Sequence, residues 1–180
     1  TGRVVALELA TPAQRLFEAN GGFARGERRI CLPADATGAL HGWPAPLVAW
    51  AVSVGSGCSM ALRTERVRSL GGFDEALDLG PALPGGGDLD MLWRILSAGD
   101  HVVYQPEALA RHEHRRELRE TAAQLAGHQR ALIAWLTKAA AGTPGLDRVP
   151  VLAFLAWRLA KPGVRLLRRA AHADPLPASW

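Results

Sequence analysis

Between Pro84 and Pro106 the hydrophobic period changes once, and that change constrains the fold more than any other feature of the chain. Leu89, Leu92, Trp93 and Leu96 fall at i, i+3, i+4 and i+7, the stripe of an amphipathic helix. Gly99 stops the pattern, and His101 to Gln105 reads as a strand closed by Pro106. A helix that hands over to a strand after one tight turn is the building unit of an α/β domain.

The amino end gives the same alternation in reverse order. Residues 3–9, Arg-Val-Val-Ala-Leu-Glu-Leu, are β-rich and apolar on both faces, which predicts a buried strand in mid-sheet. Thr11 and Gln14 match a capping box with Pro12 at the first helical position, so a helix is expected from Pro12 to about Asn20, ended by Gly21-Gly22. Residues 24–46 show no period and are expected to form a long irregular connection that helps to build a site. Val48, Trp50, Val52 and Val54 alternate with smaller residues, as a half-buried strand does. A short helix capped by Thr64 should end at Gly71-Gly72. A longer helix is predicted over Leu118 to Ala141 with Gly142 as its stop, then a helical pattern over Val149 to Ala171 interrupted by Pro162, then a frayed end from Ala173 to Trp180.

Composition narrows the class of function only a little. An apolar fraction of 48% with 21% charged residues is that of a folded globular chain. The 21 Lys and Arg exceed the 17 Asp and Glu, with clusters at Arg111 to Arg119 and Arg158 to Arg169. Such clusters attract phosphate groups, anionic lipid or nucleic acid, and more often are solvated surface. Cys31 and Cys58 are too few and too far apart for a disulfide framework or a four-ligand zinc site, which suits a reducing cytoplasm. No run reaches the ~18 apolar residues needed to span a bilayer.

The chemistry-bearing residues lie between Gly55 and Arg116. Gly55-Ser-Gly57 breaks the pattern before it, and glycines there let backbone approach a ligand, although a structural turn is the commoner use. Pro84-Gly-Gly-Gly87 precedes a helix but lacks the Lys-Ser/Thr of a phosphate loop. Asp88 opens that helix, where it is either a cap or a carboxylate aimed at a ligand. Asp90 is expected to pair with Arg94 at i+4 on the helix surface rather than to form an Asp-x-Asp metal pair with Asp88. His112 and His114 would point the same way on a strand, able to meet a diphosphate or a divalent metal.

The order Gly55-Ser-Gly-Cys-Ser-Met-Ala61, Gly71-Gly-Phe-Asp-Glu75, Gly85-Gly-Gly-Asp-Leu-Asp90 with Arg94, and Tyr104-Gln-Pro106 through His112-Glu-His114 resembles the family-2 glycosyltransferases of the GT-A fold. Thr11-Pro-Ala-Gln14 and Gly21-Gly-Phe23 extend the resemblance over about residues 1–140. It implies a partial GT-A fold, a mixed sheet with flanking helices and a helical C-terminal tail. Residues 1–145 would be the acceptor-side half of the catalytic domain and 146–180 a basic amphipathic tail.

The resemblance further implies transfer of a sugar, with inversion, from a nucleotide-sugar donor to a hydroxyl of a carbohydrate or lipid-linked acceptor. Asp88 would be the base, and Gly55, Ser56, Gly57, Asp74, Glu75, Asp90 and Arg94 would line the donor and acceptor sites, with Phe73 as a core anchor. A divalent cation, Mg or Mn, would be held mainly by residues outside these 180, with His112 near it. Gly87 stands where the family usually has Glu. Cell-envelope polysaccharide or glycolipid synthesis at the cytoplasmic side is the expected setting, with peripheral membrane contact through the tail and no nucleic-acid partner. The other reading is an inactive transferase fragment that serves as a basic, membrane-associated binding or scaffold domain.

Overall fold

The computed structural model describes residues 1–37, 39–40, 43–78, 80 and 82–170. Its strands are β1 (Gly2–Ala6), β2 (Ile30–Leu32), β3 (Ala39–Leu40), β4 (Trp43–Pro44) and β5 (Val102–His112). Its helices are α1 (Pro12–Ala19), α2 (Leu47–Val54), α3 (Thr64–Ser69), α4 (Gly87–Ser97), α5 (Leu118–Gly142) and α6 (Arg148–Ala170). A mixed sheet runs in the order β1-β5-β2, with β1 parallel and β2 antiparallel to β5, and β3 and β4 form a separate ribbon. The architecture is α/β and consistent with a partial GT-A-like fold.

Helix α1 forms as its sequence dictates. The Thr11 hydroxyl accepts the Gln14 N–H at 3.3 Å, and the Gln14 side chain accepts the Thr11 N–H at 3.0 Å. Phe17 is buried, and α1 lies against α5. Helix α5 starts and ends where the periodicity puts it.

Two apolar clusters hold the layers together. Leu32, Trp50, Val54, Met91, Leu92 and Tyr104 pack between the sheet, α2 and α4. Val48, Leu77, Leu132, Trp135, Leu136 and Val151 pack between α2, α5 and α6. Each fully buried Leu, Val or Met contributes about 1.5–3 kcal/mol, so α2, which feeds both clusters, gains more from packing than its residues lose in helix propensity.

That balance corrects the expectation of a strand at Val48 to Val54. Val48, Trp50, Ala51 and Val54 are buried on a helix that follows Pro46, and the alternation of large and small residues was a packing pattern on two faces. The first strand is shorter than residues 3–9 and lies at the sheet's edge, with no second neighbour among the described residues; Leu7 and Leu9 are exposed. Strand β5 does not stop at Pro106. It runs on to His112, because Pro106 falls where the register against β1 shifts between Gly2 and Arg3, a bulge at which no ladder N–H is needed.

Three smaller points also differ. Thr64 is the first residue of α3 rather than its cap, and Arg63 at the cap makes no side-chain hydrogen bond there. Pro162 lies inside α6 rather than interrupting it. The connection 24–46 includes β2, β3 and β4, and the expected fraying of Ala173 to Trp180 lies outside the described residues.

Candidate active site

Asp88 sits in the first turn of α4, whose entry is made by Gly86 in the left-handed region at φ 103°. Its Oδ1 accepts the Leu89 N–H at 2.8 Å, satisfying one of the first-turn donors. Its Oδ2 accepts the Gly57 N–H at 2.7 Å. The carboxylate is therefore both a helix-start ligand and a tie to the Gly55-Ser-Gly57 turn. A Cβ added to Gly57 would lie 3.3 Å from the Asp88 Cβ and Oδ2, so the close approach depends on glycine. Ser56 is buried beside it, and its hydroxyl has no hydrogen-bond partner.

The side chains that surround Asp88 electrostatically were not visible in the sequence. Arg25, from the irregular connection after α1, has a largely desolvated guanidinium whose Nε has no partner; Nη1 reaches the Gly22 carbonyl at 3.4 Å. Burial pushes its pKa down, and the charges of Tyr104, Asp88, Cys58 and Glu18 act in the opposite direction. His128, from α5, is likewise pushed down by burial, with Asp88 raising and Arg25 lowering its pKa. No motif marks Arg25 or His128. The sequence pointed only to a connection long enough to carry site residues.

Next to this group lies an aromatic and imidazole cluster. Phe17 and Phe23 pack against one another at 5.1 Å between ring centres, with His114 4.6 Å from Phe17 and His112 4.9 Å from Phe23. His112 and His114 do face the same way: their Nδ1 atoms are 3.1 Å apart. The buried His114 also meets the Glu18 carboxylate through Nε2 at 2.6 Å. Burial, then His114 and Arg115, push the His112 pKa down. Among the described residues no group of three or more His, Cys, Asp and Glu is placed to hold a metal ion.

Asp74, Glu75, Asp90 and Arg94 form a second place. Residues 88 and 90 are about 200° apart around a helix, so their side chains leave α4 in opposite directions. Asp90 is 2% exposed rather than on the helix surface, although it does pair with Arg94, at 2.8 Å. Lys138 Nζ bridges Asp90 and Asp74, 2.6 Å from each. Arg94 also donates to the carbonyls of Leu70 and Gly72, which fixes the Gly71-Gly72 turn. The bond from Lys138, then that from the Ala76 N–H, hold the Asp74 carboxyl below the usual carboxylate range.

Gly71, Phe73, Asp74, Glu75, Arg94 and Lys138 line an open cleft there. Phe73 is half exposed at its rim and is not a core anchor.

Gly87 has a local reason. Its N–H donates to Asp78 Oδ2 at 3.1 Å, and that carboxylate occupies the space a Cβ at residue 87 would need. Asp78 itself adopts φ 61°, a left-handed conformation that Asp tolerates better than most residues.

Over 75 residues, 42% of the chain, the sequence is 36% identical to pre-mycofactocin glycosyltransferase of Mycobacterium tuberculosis, in strains CDC 1551 / Oshkosh and ATCC 25618 / H37Rv. The match spans only 15% of that relative's length. No family model matches the chain, and no solved structure matches it. Over that stretch the chain is thus similar to a glycosyltransferase.

Proposed function

We propose that the chain is the acceptor-side part of an inverting, family-2-type glycosyltransferase that uses a nucleotide-sugar donor and a carbohydrate or lipid-linked hydroxyl acceptor. The carrying observation is the placement of Asp88: a carboxylate held by two backbone N–H groups at a glycine turn, within the field of Arg25 and His128. Asp88 takes the acceptor hydroxyl proton while that oxygen bonds to the anomeric carbon; the bond from that carbon to the diphosphate breaks, and the nucleoside diphosphate leaves with the bonding pair.

Arg25 suits the phosphate side of this reaction. It is a cation drawn out of water, and no carboxylate of the described residues forms an ion pair with it. A divalent cation, Mg or Mn, would neutralise charge on the leaving diphosphate, with His112 as one ligand and the others outside these residues. Asp74, Glu75, Asp90 and Arg94 then serve the acceptor side indirectly: the buried Asp90 and Arg94 hold the Gly71-Gly72 turn, and Asp74 and Glu75 face the cleft.

Asp88→Asn in the complete enzyme tests the reading. Turnover should fall about 10²–10⁴-fold with donor binding and melting temperature kept. Unchanged turnover would instead favour a binding or scaffold module.

A second reading, compatible with the first, concerns location. Residues 146–180 would act as a basic tail that holds the enzyme at the cytoplasmic face of a membrane, as cell-envelope synthesis requires. Its support is the outward face of α6, where Val149, Leu152, Trp157 and Leu159 are exposed on a helix without acidic residues. No helix among the described residues is long and apolar enough to cross a membrane.

A further inference from the structure

Tyr104 lies in β5 opposite Ile30 of β2, so the connection that leads from α1 into β2 arrives beside its ring. The residue is 0% exposed and packs with Leu32, Trp50 and Met91. A phenol hydroxyl donates one hydrogen bond and accepts others, and a buried one needs partners. This hydroxyl donates to the Gly26 carbonyl at 2.7 Å and accepts from the Arg25 backbone N–H. The two bonds clamp the backbone of residues 25 and 26 to the core of the sheet.

Arg25 has little else to locate it. Its guanidinium is largely desolvated, its Nε has no partner, and Nη1 reaches only the Gly22 carbonyl, at 3.4 Å, too long for a strong hydrogen bond. Among the described residues it forms no ion pair. Glu27 is tied to Arg3 at 3.0 Å, but that pair is exposed and adds little. The direction in which the Arg25 side chain leaves the chain is therefore set by the backbone at 25 and 26. Gly26, at φ 90°, supplies the left-handed turn that brings its carbonyl to the phenol.

We infer that Tyr104 is a positioning residue that holds the Arg25 guanidinium within the field of Asp88. The clamp stands on its own geometry. Its use, to present that guanidinium to a diphosphate, rests on the proposed reading.

The first test reads the side chain itself. In the ¹⁵N-labelled full chain, the Nε–H signal of Arg25, assigned by its loss in Arg25→Gln, should show the nuclear Overhauser effect of an ordered group. Tyr104→Phe keeps the ring and removes the oxygen, and should bring that signal to the value of exposed arginines. Gly26→Ala is the second variant: its methyl meets nothing within 4 Å, so it strains the left-handed turn and leaves the core alone. It should loosen Arg25 in the same way. A mobile Arg25 in the wild type would overturn the inference. So would an unchanged signal in folded Tyr104→Phe or, should that variant not fold, in Gly26→Ala.

Titration with inorganic pyrophosphate at low ionic strength separates positioning from general loosening. Arg25→Gln should weaken binding about 10-fold and Tyr104→Phe about 3–10-fold. The two together should weaken it no more than Arg25→Gln alone, because Tyr104 then has nothing left to place. Losses that multiply would mean that Tyr104 acts on the fold at large, and would overturn the inference. An ordered Arg25 that Tyr104→Phe loosens, in a chain with no affinity for pyrophosphate, would uphold the clamp and sink the phosphate role given to Arg25.

Discussion

The Asp88 carboxylate and the Gly57 N–H, 31 residues apart in sequence, meet at 2.7 Å and tie the start of α4 to the turn that follows α2. Gly57→Ala should displace this contact by a few tenths of an ångström, because the new methyl would stand 3.3 Å from Asp88 Oδ2. The expected result is a loss of turnover of up to about 10²-fold with the fold intact. Gly55→Ala should act differently. Its methyl would meet Leu92 Cδ1 at 2.9 Å and the Ala51 carbonyl at 3.0 Å, so it should cost about 1–3 kcal/mol in urea titrations.

The buried ion pairs around Asp90 make a second prediction. Asp90→Ala removes the carboxylate that Arg94 and Lys138 share, while Arg94 keeps its two carbonyls and Lys138 keeps Asp74, and should cost about 1.5–3 kcal/mol of stability by denaturant midpoint. Asp74→Ala breaks only an outer contact to Lys138 and should cost clearly less. Equal losses would show that Lys138, rather than Asp90, is the centre of the network.

These contrasts also explain what the sequence could and could not reveal. The capping box of α1 and both ends of α5 are local, so local residues announced them. Helix α2 has the sequence pattern of a strand because its apolar residues serve two clusters at once, and a pattern with two buried faces has no single period. Pro106 looked like a strand end because a bulge depends on the partner strand's register. The place of Asp88 at the start of a helix was legible from local residues, whereas Arg25 and His128 come near it from elements remote in sequence and carry no pattern of their own. The burial of Asp90 was hidden for the same reason: Lys138 lies 48 residues away.

Stability should depend on pH through the histidines. Burial lowers the folded pKa of His128 and of His112 below the ordinary value of about 6.5. Between the folded and unfolded values the unfolded chain binds more protons, so stability rises with pH there. The full contribution is present above about pH 6.5 and is lost as pH falls through the lower folded values. Urea midpoints at constant ionic strength should therefore fall from neutral pH toward about pH 5, and His128→Phe should flatten part of that slope. An unchanged slope would place the effect elsewhere.

The outward face of α6 yields the last prediction. Val151, Phe154 and Leu155 face the second cluster, while Leu152, Trp157 and Leu159 point away from it. Arg158 and Lys161 stand over the Trp157 ring, 5.8 and 5.2 Å from its centre. An exposed apolar face flanked by cations and free of acidic residues matches a helix lying in the headgroup layer of an anionic bilayer. Each basic group near such a surface adds about 1 kcal/mol, an attraction that salt weakens. The chain should therefore co-sediment with vesicles rich in phosphatidylglycerol and much less with phosphatidylcholine alone, and salt should release it. Leu159→Asp should abolish the association without lowering the melting temperature, because Leu159 is 59% exposed. Retention by both vesicle types, or indifference to Leu159→Asp, would mean that this face serves a protein contact instead.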